Sequence, residues 1–190
     1  MLVLIIISAV ILPLPADRDF GSVTFFGGYS SRYDTPLLGI GGGYQYLYEI
    51  SDHIGIGTGV HTDVGFGIGS ADHLTVLVGG VFGLAFEARL DPSSSINLTI
   101  GPGVIAETRG TADSSVGIGL GADASYSFFF GGNRTAAVTA GATVYPQFAV
   151  FDDARRTPFS IVAVGYLAIS FRFPSPLPSL AMPALGYLIY

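Results

Sequence analysis

Two stretches of the chain alternate apolar and small or polar residues with strict period two. From Ile54 to Ile68 the even positions carry Ile54, Ile56, Thr58, Val60, Thr62, Val64, Phe66 and Ile68, and the odd ones carry glycines with His61 and Asp63. Val116–Phe128 repeats the design, with Val116, Ile118, Leu120, Ala122, Ala124, Tyr126 and Phe128 on one face and glycines, Asp123, Ser125 and Ser127 on the other. This periodicity predicts strands with two unlike faces. Weaker forms predict six more strands, at Val23–Tyr33, Gly39–Tyr48, Leu74–Leu90, Ile96–Glu107, Ala136–Phe148 and Phe159–Phe173. Turn residues separate them, such as Ser51-Asp52, Asp91-Pro92-Ser93-Ser94-Ser95, Gly131-Gly132-Asn133 and Asp152-Asp153. Eight strands joined in sequence make an up-and-down meander.

Most of these segments reach the roughly 9–11 residues that a tilted strand needs to cross a bilayer, whereas strands of soluble sheets have a mode of about 5–6. Composition bears on which setting applies. Mean hydropathy is +0.57 and only 12% of the 190 residues are charged, too apolar for an ordinary soluble domain. Beyond Met1–Leu12 no apolar run approaches the roughly 20 residues of a membrane helix. The 27 Gly and 11 Pro disfavour long helices. A sheet in hydrocarbon must close, because an open edge leaves backbone groups unpaired. The expected fold is therefore all-β, a closed antiparallel up-and-down transmembrane β-barrel of about eight strands over residues 17–173.

Met1–Leu12, followed by Pro13, Pro15, Ala16 and the charged Asp17-Arg18-Asp19, has the layout of an export signal cleaved near Ala16, without the usual basic start. Residues 1–16 are expected to be this signal. There is no Cys, so disulfides and thiolate chemistry are excluded. The eight basic residues are all Arg and are scattered, and the net charge is −6, which disfavours nucleic-acid binding.

Eight period-two strands behind an export signal resemble the small outer-membrane barrels, such as the OmpA transmembrane domain, OmpX and OmpW. The resemblance covers Val23–Phe173 and rests on architecture. It implies a monomer in the bacterial outer membrane, with membrane lipid and the outer-membrane assembly machinery as partners and no cofactor. Leu167, Ile169, Phe171 and Phe173 look like the aromatic-ended final strand that this machinery reads. The sequence departs from the family in continuing as Pro174–Tyr190, a Pro-rich apolar tail.

On this reading His61, Asp63, Glu87, Arg89, Glu107, Arg109 and Asp123 line the lumen. A salt-bridge network that fills the barrel is one expectation. The other is a small passive pore, since inward glycines leave volume in an interior only just wide enough for side chains. The acids outnumber Arg89 and Arg109, so such a pore would prefer cations, and the OmpW likeness adds small hydrophobic solutes. If both ends of the mature chain are periplasmic, the longer charged connections Ser31–Pro36, Glu107–Ser115 and Ala149–Pro158 lie outside, with Gly67–His73 as an exception. There Arg109, Asp113, Asp152, Asp153, Arg155 and Arg156 are candidate contacts for an adhesin or host-binding surface.

Catalysis is not expected. His53 and His73 have Ser51-Asp52 and Ser70 with Asp72 nearby, but turns gather such residues for backbone reasons. G-x-S-x-G, H-E-x-x-H and P-loop motifs are absent. His61-x-Asp63 supplies two ligands, too few for a zinc site. A soluble lipocalin-like barrel with its apolar face inward is the remaining alternative, and the scarcity of charge on the opposite face argues against it.

Overall fold

The computed structural model describes residues 18–67, 74–110, 113–130, 135–152 and 159–174. The expected signal and all of the tail beyond Pro174 lie outside the described residues. Eight strands follow one another: β1 (Arg18–Ser30), β2 (Thr35–Ser51), β3 (Ile54–Gly67), β4 (Thr75–Asp91), β5 (Ser94–Arg109), β6 (Asp113–Phe130), β7 (Ala136–Asp152) and β8 (Phe159–Pro174). Each pairs antiparallel with its sequence neighbours, and β8 returns to β1 through Arg18↔Pro174 to Ser30↔Val162, closing the barrel. No strand is left with an open edge, as hydrocarbon requires.

The strands run from 13 to 18 residues, longer than a bilayer crossing needs. Several exceed their sequence-predicted bounds. Glu107–Ser115, expected as a loop, is mostly ladder, with Glu107↔Ser115, Thr108↔Ser114 and Arg109↔Asp113 paired. The reversal is tight because Gly110 takes a left-handed φ of 67° and donates its N–H to Leu74 O at 3.0 Å. Ala149–Asp152 likewise joins β7. In the opposite direction, Tyr33 leaves β1 for the Ser31–Asp34 turn, where Asp34 takes a φ of 51°, a conformation that Asp tolerates better than most residues.

The rim that carries Arg18 and Pro174 is called here the terminal rim. Its β2–β3 and β4–β5 turns have two residues each, Asp52-His53 and Pro92-Ser93. At the opposite, far rim the connections are 31–34, 68–74, 110–112 and 153–158. Pro102 and Pro146 sit in strand interiors, and each coincides with a gap in the ladder. Pairing of β4 with β5 skips from Val81↔Gly103 to Leu84↔Ile100 around Pro102, and pairing of β6 with β7 skips from Gly119↔Gln147 to Ala122↔Val144 around Pro146. A residue without an N–H cannot complete both sides of a central strand.

Alternation divides the residues as the pattern requires. Val104, Leu84, Phe82, Leu120, Val138 and Leu167 point outward and are exposed, as are apolar residues all round the barrel. Monomeric proteins in water do not carry a continuous apolar belt of this kind, and lipid is the solvent that suits it. Aromatic side chains mark both margins of the belt, for example Phe128, Phe130 and Phe171 toward the terminal rim and Tyr29, Phe66 and Phe159 toward the far rim. A charge in the middle of this belt is expected to destabilise the barrel by about 2–4 kcal/mol, and one near a rim by about 0–1 kcal/mol. Leu120→Arg tests the middle and Ile96→Arg the terminal rim, with unfolding midpoints in urea and lipid vesicles as the measurement.

Candidate functional site in the barrel interior

The inward positions of eight strands enclose a space about as wide as the side chains that line it. The sequence puts glycine at many of these positions, and at several of them the structure fills the space with rings from neighbouring or opposite strands. Phe26 of β1 lies over Gly39 and Gly65, where an added Cβ would come within 2.4 and 2.9 Å of its ring. Tyr145 of β7 reaches across to Gly79, Gly103 and Gly121, and Tyr166 of β8 would be 2.5 Å from a Cβ at Gly141. Phe26, Leu37, Leu77, Val81, Ile105, Tyr145, Val162, Val164, Tyr166 and Ala168 form one apolar cluster inside the barrel. Phe20, Phe129 and Ala137 form a second toward the terminal rim. Between these clusters the described residues leave a cavity of about 10 Å³, room for roughly one water molecule.

Polar groups interleave with the apolar filling at three levels. Near the terminal rim, Glu87 is buried and accepts from Arg172 and, at 3.3 Å, from Arg89 Nε, while Arg89 also donates to Glu49. The Arg172 guanidinium lies 4.4 Å from the Phe129 ring centre. Arg89 further donates to Asp52 O at 3.2 Å, tying the network to the β2–β3 turn. Just inside it a chain of side-chain contacts crosses four strands: Asn97 Nδ2 donates to Ser127 Oγ, which meets Thr139 Oγ1, which meets Ser170 Oγ.

Near the far rim, Glu107 is fully buried and faces Arg32 at 3.8 Å. It accepts from Ser30 and, at 3.4 Å, from Gln147 Nε2. Arg32 Nη2 also donates to Ser160 Oγ at 3.4 Å. Above this layer the Tyr33 hydroxyl donates to Asp113 Oδ1 at 3.2 Å. Burial pushes the Tyr33 hydroxyl up to about 12, so it remains protonated as a donor at neutral pH.

At mid-height, His61 lies between two carboxylates. Its Nε2 is 3.1 Å from Asp63 Oδ1, and its Nδ1 is 3.6 Å from Asp123 Oδ1. Tyr145 OH donates to Asp63 Oδ2 at 2.7 Å. Tyr166 OH and Thr143 Oγ1 donate to Asp123 Oδ1 at 2.8 and 2.9 Å. The Tyr166 ring stacks on the imidazole with centroids 5.1 Å apart.

The structure therefore brings His61, Asp63 and Asp123 into one cluster and joins Glu87 to Arg89. It separates Glu107 from both, at the opposite end from Glu87. Arg109 follows the inward parity of β5 at the far rim and is half-buried. Asp113, expected to be a free loop residue, begins β6, half-buried and held by Tyr33. Asp152 belongs to β7, and Asp153, Arg155 and Arg156 lie outside the described residues, as do His73, Ser70 and Asp72. His53 occupies an exposed turn whose Ser51 hydroxyl accepts from the His53 N–H. No group of three or more His, Asp or Glu side chains suited to a metal ion occurs among the described residues.

The sequence reading missed the lumen partners Arg32, Arg172, Tyr145 and Tyr166. Tyr166 and Arg172 alternate with the apolar Leu167, Ile169, Phe171 and Phe173 and are open to the same parity argument, whereas Tyr145 lies on β7, where the sequence reading names no inward position. Arg32 lies in a turn, where parity no longer applies. Buried ion pairs cost dearly when one partner is removed. Glu87→Gln leaves the Arg89 and Arg172 guanidinium groups facing no full charge at that position, and a loss of about 3–5 kcal/mol in urea unfolding is expected. A loss below 1 kcal/mol would mean that the network is not dry.

No protein-family model matches the sequence, and no curated protein sequence matches it. Solved structures do match. Ail, the attachment invasion locus protein of Yersinia pestis, superposes with a TM-score of 0.58 at 15% identity, over 82% of this chain and 98% of Ail. The outer membrane enzyme PagL gives a TM-score of 0.52 at 13% identity, over 79% of this chain and 98% of PagL. Neisserial surface protein A gives 0.50 at 14% identity, over 83% and 96%. These relatives are likenesses of architecture, and the chain has the fold of the small eight-stranded bacterial outer-membrane β-barrels.

Proposed function

We propose that this protein is an integral barrel of the bacterial outer membrane that does not conduct, and that it acts through the connections at its far rim. The observation that carries this reading is the filled interior: rings of Phe26, Tyr145 and Tyr166 pack over inward glycines, and the cavity beside His61 holds only about one water. A passive pore for small solutes needs a continuous aqueous path. Two ion-paired layers and an apolar cluster stand across the barrel axis instead. The cation preference expected from an excess of acids is also weakened, because Arg32 and Arg172 join Arg89 against Glu107 and Glu87.

An interaction surface is the role that a sealed barrel leaves open, since loops on a rigid scaffold commonly carry binding. The far rim has the longer set of connections, and in small barrels the longer set faces outside. Ail, one of the structures of similar fold, is described as an attachment invasion locus protein. An enzymatic role receives no support from His61, which is buried between its carboxylates in the lumen.

The chain refolded into lipid vesicles, with folding followed by heat-modifiable gel migration, is expected to release no small solute and to give no steady conductance in planar bilayers. Size-limited release from folded protein would overturn the reading. Replacing residues 153–158 by a short turn is expected to leave folding intact and abolish attachment of expressing cells to host-cell surfaces. Unchanged attachment would remove that loop from the proposed surface.

A further inference from the structure

The two outer charge layers set guanidinium groups against carboxylates, whereas the middle layer sets two carboxylates against one imidazole. Both ring nitrogens of His61 face carboxylate oxygens. A neutral imidazole keeps one nitrogen as an acceptor, and that lone pair would here point at a carboxylate. The arrangement therefore favours the doubly protonated ring, donating toward Asp63 and Asp123. With both carboxylates ionised, the cluster then sums to one negative charge. Tyr145, Tyr166 and Thr143 spread that charge by donating hydrogen bonds but do not cancel it. In a low-dielectric interior an uncompensated charge is costly.

The one-water cavity adjoins this cluster and shares His61, Asp123 and Tyr166 with it. Gln45 forms another part of the cavity wall. Its side chain is 4% exposed, its Nε2 is spent on Thr99 Oγ1 at 2.9 Å, and its Oε1 is buried with no hydrogen-bond partner. Asp123 receives Tyr166, Thr143 and His61 all at Oδ1, so none of these contacts uses Oδ2. Hydroxyl groups of Ser22, Thr99 and Ser125 complete an oxygen-rich lining. We propose that this cavity is a built-in site for a monovalent cation of sodium size, held by the side-chain oxygens of Asp123 and Gln45 with the surrounding hydroxyls. A hard cation suits these oxygen donors, and a single positive charge balances the cluster where a divalent ion would overshoot it. A neutral water would satisfy Gln45 and leave the charge.

An ion held here adds to the stability of the folded barrel. The full chain is refolded and melted in sodium chloride and in choline chloride at equal ionic strength. The expected result is an unfolding midpoint that rises with the logarithm of sodium concentration and not with choline, as for any ligand bound only by the folded state. Asp123→Asn and Gln45→Met are each expected to flatten that rise while still giving the folded gel band. Equal midpoints in the two salts would overturn the proposal. If Asp123→Asn does not fold, Gln45→Met and a high-resolution crystal structure grown in sodium decide. Oxygen contacts clearly shorter than the ~2.7–2.8 Å of a water's hydrogen bonds would support the ion, and contacts at hydrogen-bond length would show a trapped water and overturn it.

Discussion

Closure of the sheet is the constraint from which the rest of this structure follows. Backbone N–H and C=O groups cannot be left unpaired in hydrocarbon, so the last strand must find the first. With eight strands the ring that results is narrow. Its outer wall is solved simply, by apolar residues against lipid. Its inner wall is harder, because opposing strands are close enough for their side chains to collide. Glycine on one strand and an aromatic ring on another is the solution seen at Gly39 with Phe26, at Gly141 with Tyr166 and at Gly121 with Tyr145.

This exchange of volume explains why a lumen rich in glycine is not an open one. At Gly39, Gly65 and Gly141 the missing side chain is replaced by a ring from elsewhere in the sequence, and at Gly41, Gly59 and Gly117 by polar side chains such as Asp63, Gln45 and Gln147. The rings also bring hydroxyls. Tyr145 and Tyr166 enter as apolar filling and finish as donors to Asp63 and Asp123, which lets carboxylates sit in the same layer as the packed core. Apolar packing and polar satisfaction are achieved here by the same side chains.

How much of this could be read from the sequence depends on the distance over which each feature is determined. Alternation is local, and Ile54–Ile68 and Val116–Phe128 were enough to put His61, Asp63 and Asp123 on the face opposite the apolar one. Contacts within one hairpin were nearly legible, since Phe26 and Gly39 are register partners once the β1–β2 turn is known. Contacts across the barrel were not, because the approach of Tyr145 on β7 to Gly79 on β4 exists only after closure. Strand ends were misjudged for another reason. The connection Glu107–Ser115 reads as loop from its charges, although Glu107 and Arg109 also fit the inward parity; the turn at Gly110 lets the ladder run on through Arg109↔Asp113, and Glu107 faces Arg32.

The placement of charge along the barrel axis follows from the same geometry. Arginine reaches its partners most easily at the rims, where its long side chain comes from a strand end or turn, as Arg32, Arg89 and Arg172 do. At mid-height the space is taken by rings, and the cation present there is the compact imidazole of His61, held flat against Tyr166. A single imidazole lies between two carboxylates there, whereas in the outer layers the carboxylates face guanidinium groups. The middle layer adjoins a space lined by His61, Asp123 and Tyr166 with room for about one water, so little solvent is at hand to screen its charges.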